Sequence, residues 1–204
     1  PIIGKKDMCI VISQSGETAD TLAAMRLAKQ AGAFTIAIVN VVSSTIAREA
    51  DGVLYTWAGP EISVATTKAY SAQLSALYLI SVKIARVRGL ISIGDERALC
   101  AELQRLPECI EQTLKCQSDM QRIATLYANR PSVFFLGRGL DYAAALEASL
   151  KLKEISYIHS EAYAAGELKH GTISLIEDGT LVVALATQPA LFEKTVSNIR
   201  EVVA

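Results

Sequence analysis

The chain has 204 residues and a mass of 21.9 kDa, with 51% hydrophobic and 20% charged residues. This composition excludes a disordered tail, because it supplies enough apolar side chains for the packed core of one or two domains. The net charge of -1 excludes a bulk electrostatic attraction for nucleic acid or an anionic membrane. The mean hydropathy of +0.30 is high for a soluble protein and indicates apolar interfaces beyond the core of one subunit.

The longest apolar stretch, residues 69–82, is well short of the roughly 18–20 residues that a membrane span needs. The four cysteines and two histidines are too widely spaced for a metal site. We therefore expect no metal, no nucleic-acid or membrane partner, and reduced thiols in a cytoplasmic protein.

Strands and helices alternate in the first half of the chain. The predicted elements, in order, are a strand over residues 8–12, a helix over 18–31, a strand over 34–39, a short helix over 44–49 and a strand over 53–56. A long apolar helix over 64–87 follows. Residues 95–128 are helical and more polar, and Pro107 is predicted to break them into two helices.

A second block of the same kind then begins. Its predicted elements are a strand over residues 133–136, a helix over 142–156, a glycine-bounded segment to Gly171, a strand over 181–185 and a helix over 191–204. The alternation predicts an α/β fold with parallel sheets covered by helices. Because a strand opens the chain almost at once and the last helix lacks a Gly or Pro stop, we expect a piece of a longer protein, truncated at both ends.

The strongest local motif lies between the first strand and the first helix, in the order Ser13-Gln14-Ser15-Gly16-Glu17-Thr18. A strand that turns through hydroxyl residues into a helix presents free backbone N–H groups and the positive end of the helix dipole to an anion. The loop has no Lys or Arg, so it is neither a Walker loop nor a dinucleotide motif. A phosphate monoester on a small sugar fits this pattern, whereas a plain N-cap explains only one of the hydroxyls.

A second motif lies in the predicted helix 142–156, where Glu147, Lys151 and Glu154 are spaced to line one face. The stripe is either a solvated set of ion pairs or, because apolar residues surround it, a partly buried acid–base group. His170 follows at a predicted helix end before Gly171, where the dipole favours its charged form. A structural role for this histidine is the simpler interpretation from the residues alone.

Three segments together resemble the glucosamine-6-phosphate synthase family, also called glutamine–fructose-6-phosphate transaminases (isomerizing). They read SQSGETADT from Ser13, AGPEISVATTKAY from Ala58 and LKLKEISYIHSEAYAAGELKHG from Leu150. The resemblance covers essentially the whole chain. It implies two flavodoxin-like αβα sugar-isomerase (SIS) subdomains, over residues 1–105 and 131–204, with a helical bridge over 106–130.

The resemblance also implies the roles of individual residues. In the family, the phosphate of fructose 6-phosphate binds at the positions of Ser13, Gln14, Ser15 and Thr18. The position of Val64 offers its backbone to the sugar, and the position of Thr66, where the family usually has Ser, offers a hydroxyl.

The catalytic positions of the family match Glu154, Lys151 and His170. Glu154 corresponds to the base that moves a proton between C1 and C2, Lys151 to a charged neighbour that stabilises the enolamine, and His170 to a ring-opening residue that reaches the partner subunit's site. The resemblance therefore implies a homodimer with a shared active site, ammonia from a glutaminase domain elsewhere in the full-length chain, glucosamine 6-phosphate as product, and no cofactor. Without that domain, we expect the 204 residues alone to form no product from glutamine.

Two other functions remain open at this point. One is a stand-alone SIS sugar-phosphate isomerase or deglycase without glutamine chemistry. The other is a non-catalytic SIS module that senses a sugar phosphate, which would need the hydroxyl loop but not Glu154, Lys151 or His170.

Overall fold

The computed structural model describes residues 2–204. The chain forms two compact units, Pro1–Gln112 and Thr113–Ala204, and each contains a three-stranded parallel sheet with helices. The predicted α/β class with parallel sheets is confirmed. The assignment of residues 1–105, 106–130 and 131–204 to two SIS subdomains and a bridge stays a prediction. No helix within residues 2–204 is long and apolar enough to cross a bilayer.

The sheet of the first unit has the strand order β1-β2-β3, and all neighbours are parallel. Its elements in chain order are β1 (Met8–Ser13), α1 (Ala19–Gln30), β2 (Phe34–Val39), α2 (Thr45–Glu49) and β3 (Gly52–Tyr55). Ser13 lies opposite Val39, which in turn lies opposite Tyr55, so the loops after the three strands leave the sheet at the same edge. Ligand sites of open α/β sheets lie at this carboxyl edge.

Apolar side chains on one face of this sheet pack under α1 and α2. The buried cluster comprises Val11, Met25, Ala37, Val39, Ile46 and Ala47. On the other face, Met8, Ile36 and Leu54 line an apolar cleft of about 270 Å³ together with residues of α3 (Thr67–Val87). Successive side chains of β1 point to opposite faces of the sheet, so apolar residues face helices on both sides.

Two predictions about the long helices are wrong. The helix predicted from residue 64 begins at Thr67, because Thr66 has a left-handed backbone (φ 55°) that ends the preceding turn. Pro107 does not break the next helix, since α4 runs continuously over Ile93–Leu114 and α5 begins at Gln117 (Gln117–Tyr127). The helix continues although proline removes one of its hydrogen bonds, and Pro107 lines an apolar cleft of about 420 Å³ together with residues of α3 and α4.

The sheet of the second unit has the order β5-β4-β6, again parallel throughout. Its elements are β4 (Ser132–Gly137), α6 (Leu140–Ser156), β5 (His159–Ala164), β6 (Leu181–Ala184) and α7 (Phe192–Val203). β5 was not among the predicted elements, because His159, Glu161 and Tyr163 interrupt the apolar pattern. The strand forms nonetheless, since it lies at the sheet edge and pairs only with the buried β4.

Candidate functional site

The hydroxyl loop of the first unit joins β1 to α1 and is held by its own side chains. The hydroxyls of Ser13 and Thr18 share a 2.8 Å hydrogen bond, and the N–H of Gly16 donates to Ser13 Oγ at 3.0 Å. The N–H of Glu17 donates to Ser15 Oγ at 3.1 Å. The hydroxyls thus shape the loop, and Thr18 precedes α1 without capping it through its side chain. The first N–H groups of α1 therefore have no side-chain cap from this residue.

A second layer of contacts supports this loop from the segment after β2. The N–H of Ile46 donates to the carbonyl of Gly16 at 3.0 Å. The N–H of Thr45 donates to Glu17 Oε1 at 2.7 Å, and this hydrogen bond is the main cause that lowers the pKa of Glu17. Gly16 has a left-handed backbone (φ 67°) and packs directly on the side chain of Ser44. The start of α2 therefore forms the floor of the loop.

The segment between β3 and α3 carries Val64 and Thr66 in one tight turn. The Thr66 N–H donates to the carbonyl of Ser63 at 3.2 Å, and the Thr66 hydroxyl donates to the carbonyl of Val64 at 3.1 Å. Val64 is 81% exposed, and its carbonyl takes part in the turn. Thr66 Oγ1 and the Val64 carbonyl thus lie together at the carboxyl edge of the first sheet.

Asn40, which follows β2 directly, was not among the site residues predicted from the sequence. Its N–H donates to the carbonyl of Gln14 at 3.2 Å, and its side chain hydrogen-bonds to three residues after β3, namely Thr56, Ala58 and Gly59. The available signal was its position, because a polar residue that ends a buried parallel strand lies at the ligand-binding edge of the sheet.

Three buried side-chain atoms in the described part of the chain have no hydrogen-bond partner. They are Gln14 Oε1, Ser44 Oγ and Glu61 Oε2. Each lies in the loop that follows a different strand of the first sheet, at its carboxyl edge. An unpaired buried polar atom costs about 1–3 kcal/mol, so these three atoms are free to accept or donate hydrogen bonds at the carboxyl edge.

The Lys–Glu stripe predicted from the sequence lies on α6 in the second unit. Lys151 Nζ lies 2.6 Å from Glu154 Oε2 and 3.4 Å from Glu147 Oε1. The three side chains are 19–29% exposed, so the stripe is neither fully solvated nor fully buried. The hydrogen bond to Glu154 is the main cause that raises the pKa of Lys151. Lys151 therefore stays an ammonium beside the carboxylate of Glu154.

His170 lies at the end of a short 3₁₀ helix, Leu168–His170, after β5. Its N–H donates to the carbonyl of Glu167 at 3.0 Å, while Leu168 is buried and anchors the turn. The His170 side chain is exposed, and within residues 2–204 it has no hydrogen bond or ion pair. The expected helix end before Gly171 is thus present, in 3₁₀ form.

The predicted site residues fall into two groups. In the first unit, Asn40 joins the loop that carries Ser13, Gln14, Ser15 and Thr18 to residues 56–59, which precede the turn that holds Val64 and Thr66. The second unit brings Lys151 and Glu154 into contact and carries His170 on a separate turn. No other charged pair on α6 is as close as Lys151 and Glu154 in the described residues.

Two known proteins that share one name match nearly the whole chain in sequence. Glutamine–fructose-6-phosphate aminotransferase (isomerizing) from Clostridium tetani is 59% identical over 202 residues, which is 99% of this chain and 33% of that protein. The protein of the same name from Methanosarcina acetivorans is 51% identical over the same length. The chain thus spans about a third of the length of the curated relatives that it matches.

Solved structures agree with the sequence relatives. The C-terminal domain of glucosamine-fructose-6-phosphate aminotransferase from Francisella tularensis has a TM-score of 0.93 and 40% identity, covering 96% of this chain and 55% of that one. A structure from Silicibacter pomeroyi that is described as a phosphosugar isomerase has a TM-score of 0.83 and 31% identity. The match covers 98% of this chain and 58% of that one. The SIS domain family matches residues 1–83 and 126–204, so the chain belongs to the SIS domain family.

Proposed function

We propose that the chain is the sugar-isomerase part of a glutamine–fructose-6-phosphate aminotransferase, which converts fructose 6-phosphate and ammonia to glucosamine 6-phosphate. The observation that carries the proposal is the 2.6 Å contact between Lys151 and Glu154 on a half-buried helix face. A module that only senses a sugar phosphate has no use for such a pair, whereas proton transfer at carbon requires a placed base. The names of the relatives from C. tetani and F. tularensis support the same reaction.

The first unit supplies phosphate binding in this proposal. The phosphate accepts hydrogen bonds from the hydroxyl loop at Ser13, Ser15 and Thr18, from the Gln14 side chain and from the uncapped start of α1. An anion at a helix N-terminus gains about 0.3–1 kcal/mol, and up to about 2 kcal/mol when partly buried. The backbone of Val64 and the hydroxyl of Thr66 contact the sugar.

The second unit supplies the acid–base chemistry. His170 opens the sugar ring, and ammonia then adds to the C2 carbonyl, which loses water to form an imine. Glu154 removes a proton from C1 to give the enolamine and returns a proton to C2, which leaves the aldehyde at C1 and the amine at C2. The Lys151 ammonium stabilises charge on the enolamine. Such a placed base contributes about 10²–10⁴-fold to the rate.

The ammonia comes from a glutaminase domain in the full-length protein, as the names of the curated relatives suggest. We further propose a cytoplasmic homodimer in which His170 of one subunit serves the site of its partner. The many exposed apolar side chains on α3 and α4, among them Leu79, Leu106 and Ile110, are consistent with an interface of this kind.

The proposal is tested with Glu154→Gln in the full-length protein, and Lys153→Gln, on the exposed side of the same helix, is the control. We expect Glu154→Gln to lower the turnover of fructose 6-phosphate with glutamine by at least about 100-fold. The variant should still bind fructose 6-phosphate. Lys153→Gln should keep both. Unchanged turnover in Glu154→Gln contradicts the assigned base.

The likeness to the phosphosugar isomerase from S. pomeroyi favours a second candidate, an isomerase without amination. The same assay separates the two, because an isomerase forms glucose 6-phosphate without glutamine. Formation of an amino sugar only when glutamine or ammonium is present supports the aminotransferase. Binding of fructose 6-phosphate with neither product supports a sensor instead.

A further inference from the structure

We propose that Asn40 is a positioning residue that couples the hydroxyl loop, residues 13–18, to the sugar-contact segment, residues 56–66. In this arrangement the phosphate and the sugar are recognised by one rigid surface rather than by two independent loops. The inference rests on the proposed function in naming fructose 6-phosphate as the ligand, and in assigning its phosphate to residues 13–18 and its sugar to Val64 and Thr66.

Asn40 follows β2, the central strand of the first sheet, and therefore lies between the loops that follow β1 and β3. On one side its backbone N–H donates to the carbonyl of Gln14 at 3.2 Å. On the other side Oδ1 accepts from Thr56 Oγ1 at 3.0 Å and from the Ala58 N–H at 2.8 Å, and Nδ2 donates to the carbonyl of Gly59 at 2.8 Å. One residue thus makes four hydrogen bonds that span both loops.

The side-chain amide is needed for this role because it accepts and donates at once. Asp keeps an acceptor for Thr56 and Ala58 but has no hydrogen for the Gly59 carbonyl, and Leu has neither group. The segment held by Asn40 also contains Trp57, a non-glycine residue with φ 52°, and Gly59 with φ 70°. Left-handed backbone at a bulky residue persists only where neighbouring contacts hold it.

The consequence for ligand binding is preorganisation. A ligand that spans the hydroxyl loop and the turn at Val64 and Thr66 gains most when both are already fixed in one geometry. Inorganic phosphate contacts the hydroxyl loop only, so its affinity depends weakly on residues 56–66, through the coupling at Asn40. Loss of the Asn40 side chain should therefore weaken the binding of a sugar phosphate more than the binding of inorganic phosphate.

The first experiment compares fructose 6-phosphate and inorganic phosphate binding by the full-length protein and its Asn40→Ala variant. We expect Asn40→Ala to weaken the binding of fructose 6-phosphate by roughly tenfold or more, and the binding of phosphate by less than about threefold. The phosphate effect is smaller because the three side-chain hydrogen bonds hold only residues 56–59 and not the hydroxyl loop. Asn40→Asp should give an intermediate loss. Equal losses for both ligands would assign Asn40 a general role in stability and overturn the inference.

Asp51→Asn is the matched control. Asp51 also joins several groups by side-chain hydrogen bonds, including the N–H and hydroxyl of Thr35, but it lies at the amino edge of the same sheet. It should lower stability without changing the ratio of the two affinities. A second comparison adds Thr66→Ala. This substitution should weaken the binding of fructose 6-phosphate when made in the wild type, but should weaken it little further when made in Asn40→Ala. Fully additive losses would contradict coupling.

The final experiment needs no sugar phosphate and so remains decisive if the proposed function fails. Amide hydrogen exchange of residues 56–66 is measured with and without saturating inorganic phosphate. We expect phosphate at the hydroxyl loop to slow the exchange of the Ala58 amide in the wild type and in Asp51→Asn, but not in Asn40→Ala. No protection of Ala58 in the wild type overturns the inference, whereas a wild type that binds phosphate but not fructose 6-phosphate overturns the proposed function.

Discussion

Gly16 packs so closely on Ser44 that a Cβ added to Gly16 would lie 2.0 Å from Ser44 Oγ and 2.5 Å from its Cβ. The two residues join the hydroxyl loop to the segment before α2, 28 positions further along the chain. Ser44 is buried, so it has little room to withdraw. Glycine is therefore required at position 16 both for its left-handed backbone and for the absence of a side chain.

We expect Gly16→Ala to destabilise the protein by roughly 1–3 kcal/mol and to weaken inorganic phosphate binding by at least about tenfold. Thermal unfolding and phosphate titration measure the two effects. Gly4→Ala is the control, since no atom lies within 4 Å of the added Cβ. Adding Ser44→Gly should restore part of the phosphate affinity, and a double variant as weak as Gly16→Ala would show that backbone strain alone is responsible.

The ion pairs of Lys151 predict a contribution to stability that is constant near neutral pH and is lost only at alkaline pH. The hydrogen bond to Glu154, followed by attraction to Glu147, raises the pKa of Lys151 above its ordinary value of 10.5. A raised pKa in the folded state stabilises the protein fully below the unfolded-state pKa, and this contribution is lost as the pH rises through the folded-state pKa. Lys151→Met should thus be destabilised by a constant amount from about pH 7 to 9, and the difference should shrink above about pH 10.5.

Chemical unfolding of both proteins across this range measures the difference, and Lys153→Met, with an exposed side chain on the same helix, is the comparison. A Lys151→Met difference that already shrinks near neutral pH would contradict an ammonium held by Glu154.

Asp51 predicts the opposite pH dependence. Hydrogen bonds from Lys29 and then Thr35 lower the pKa of Asp51 to about 2. A lowered pKa stabilises the folded state above the unfolded-state value of 3.8 and loses this contribution as the pH falls toward 2. Asp51→Asn should therefore be less stable than the wild type at neutral pH, and the gap in stability should narrow as the pH falls from about 4 through 2. Urea unfolding measured at several pH values checks this, and a gap that stays constant between about pH 4 and pH 2 would refute it.

Gly166 predicts a local effect on the segment that carries His170. A Cβ at Gly166 would lie 2.6 Å from Arg138 Nη2, and this guanidinium is held by the buried Asn198, whose Oδ1 accepts from Arg138 at 3.0 and 2.8 Å. Gly166→Ala should move the turn and lower the turnover of fructose 6-phosphate by about tenfold, with phosphate affinity unchanged. Steady-state kinetics separate the effect on kcat from the effect on KM, and Gly94→Ala on α4 is the control. A change confined to KM would contradict the predicted loss of turnover.

Several features of the site follow from local sequence. The hydroxyl loop is a contiguous strand–turn–helix motif, so its position could be predicted from neighbouring residues. The contact of Lys151 with Glu147 and Glu154 likewise follows from helical spacing of four and three residues. The predicted parallel α/β class follows from the alternation of apolar strands with helices, which the comparison with SIS domains confirms.

Other features required the tertiary structure. The edge strand β5 forms because β4 offers it a partner, although its own sequence is polar. The continuity of α4 through Pro107 likewise appears only in the structure. The role of Asn40 depends on which strands are neighbours in the sheet and on where each ends.

The amino-acid sequence was enough to predict the fold class, the hydroxyl loop and the Lys–Glu stripe, since each depends on residues within a few turns of one another. The fold was needed to show that Ser44 lies under Gly16 and that Asn40 joins Gln14 to Ala58. These contacts depend on strand order and register, which bring residues 18 to 28 positions apart within hydrogen-bonding or packing distance.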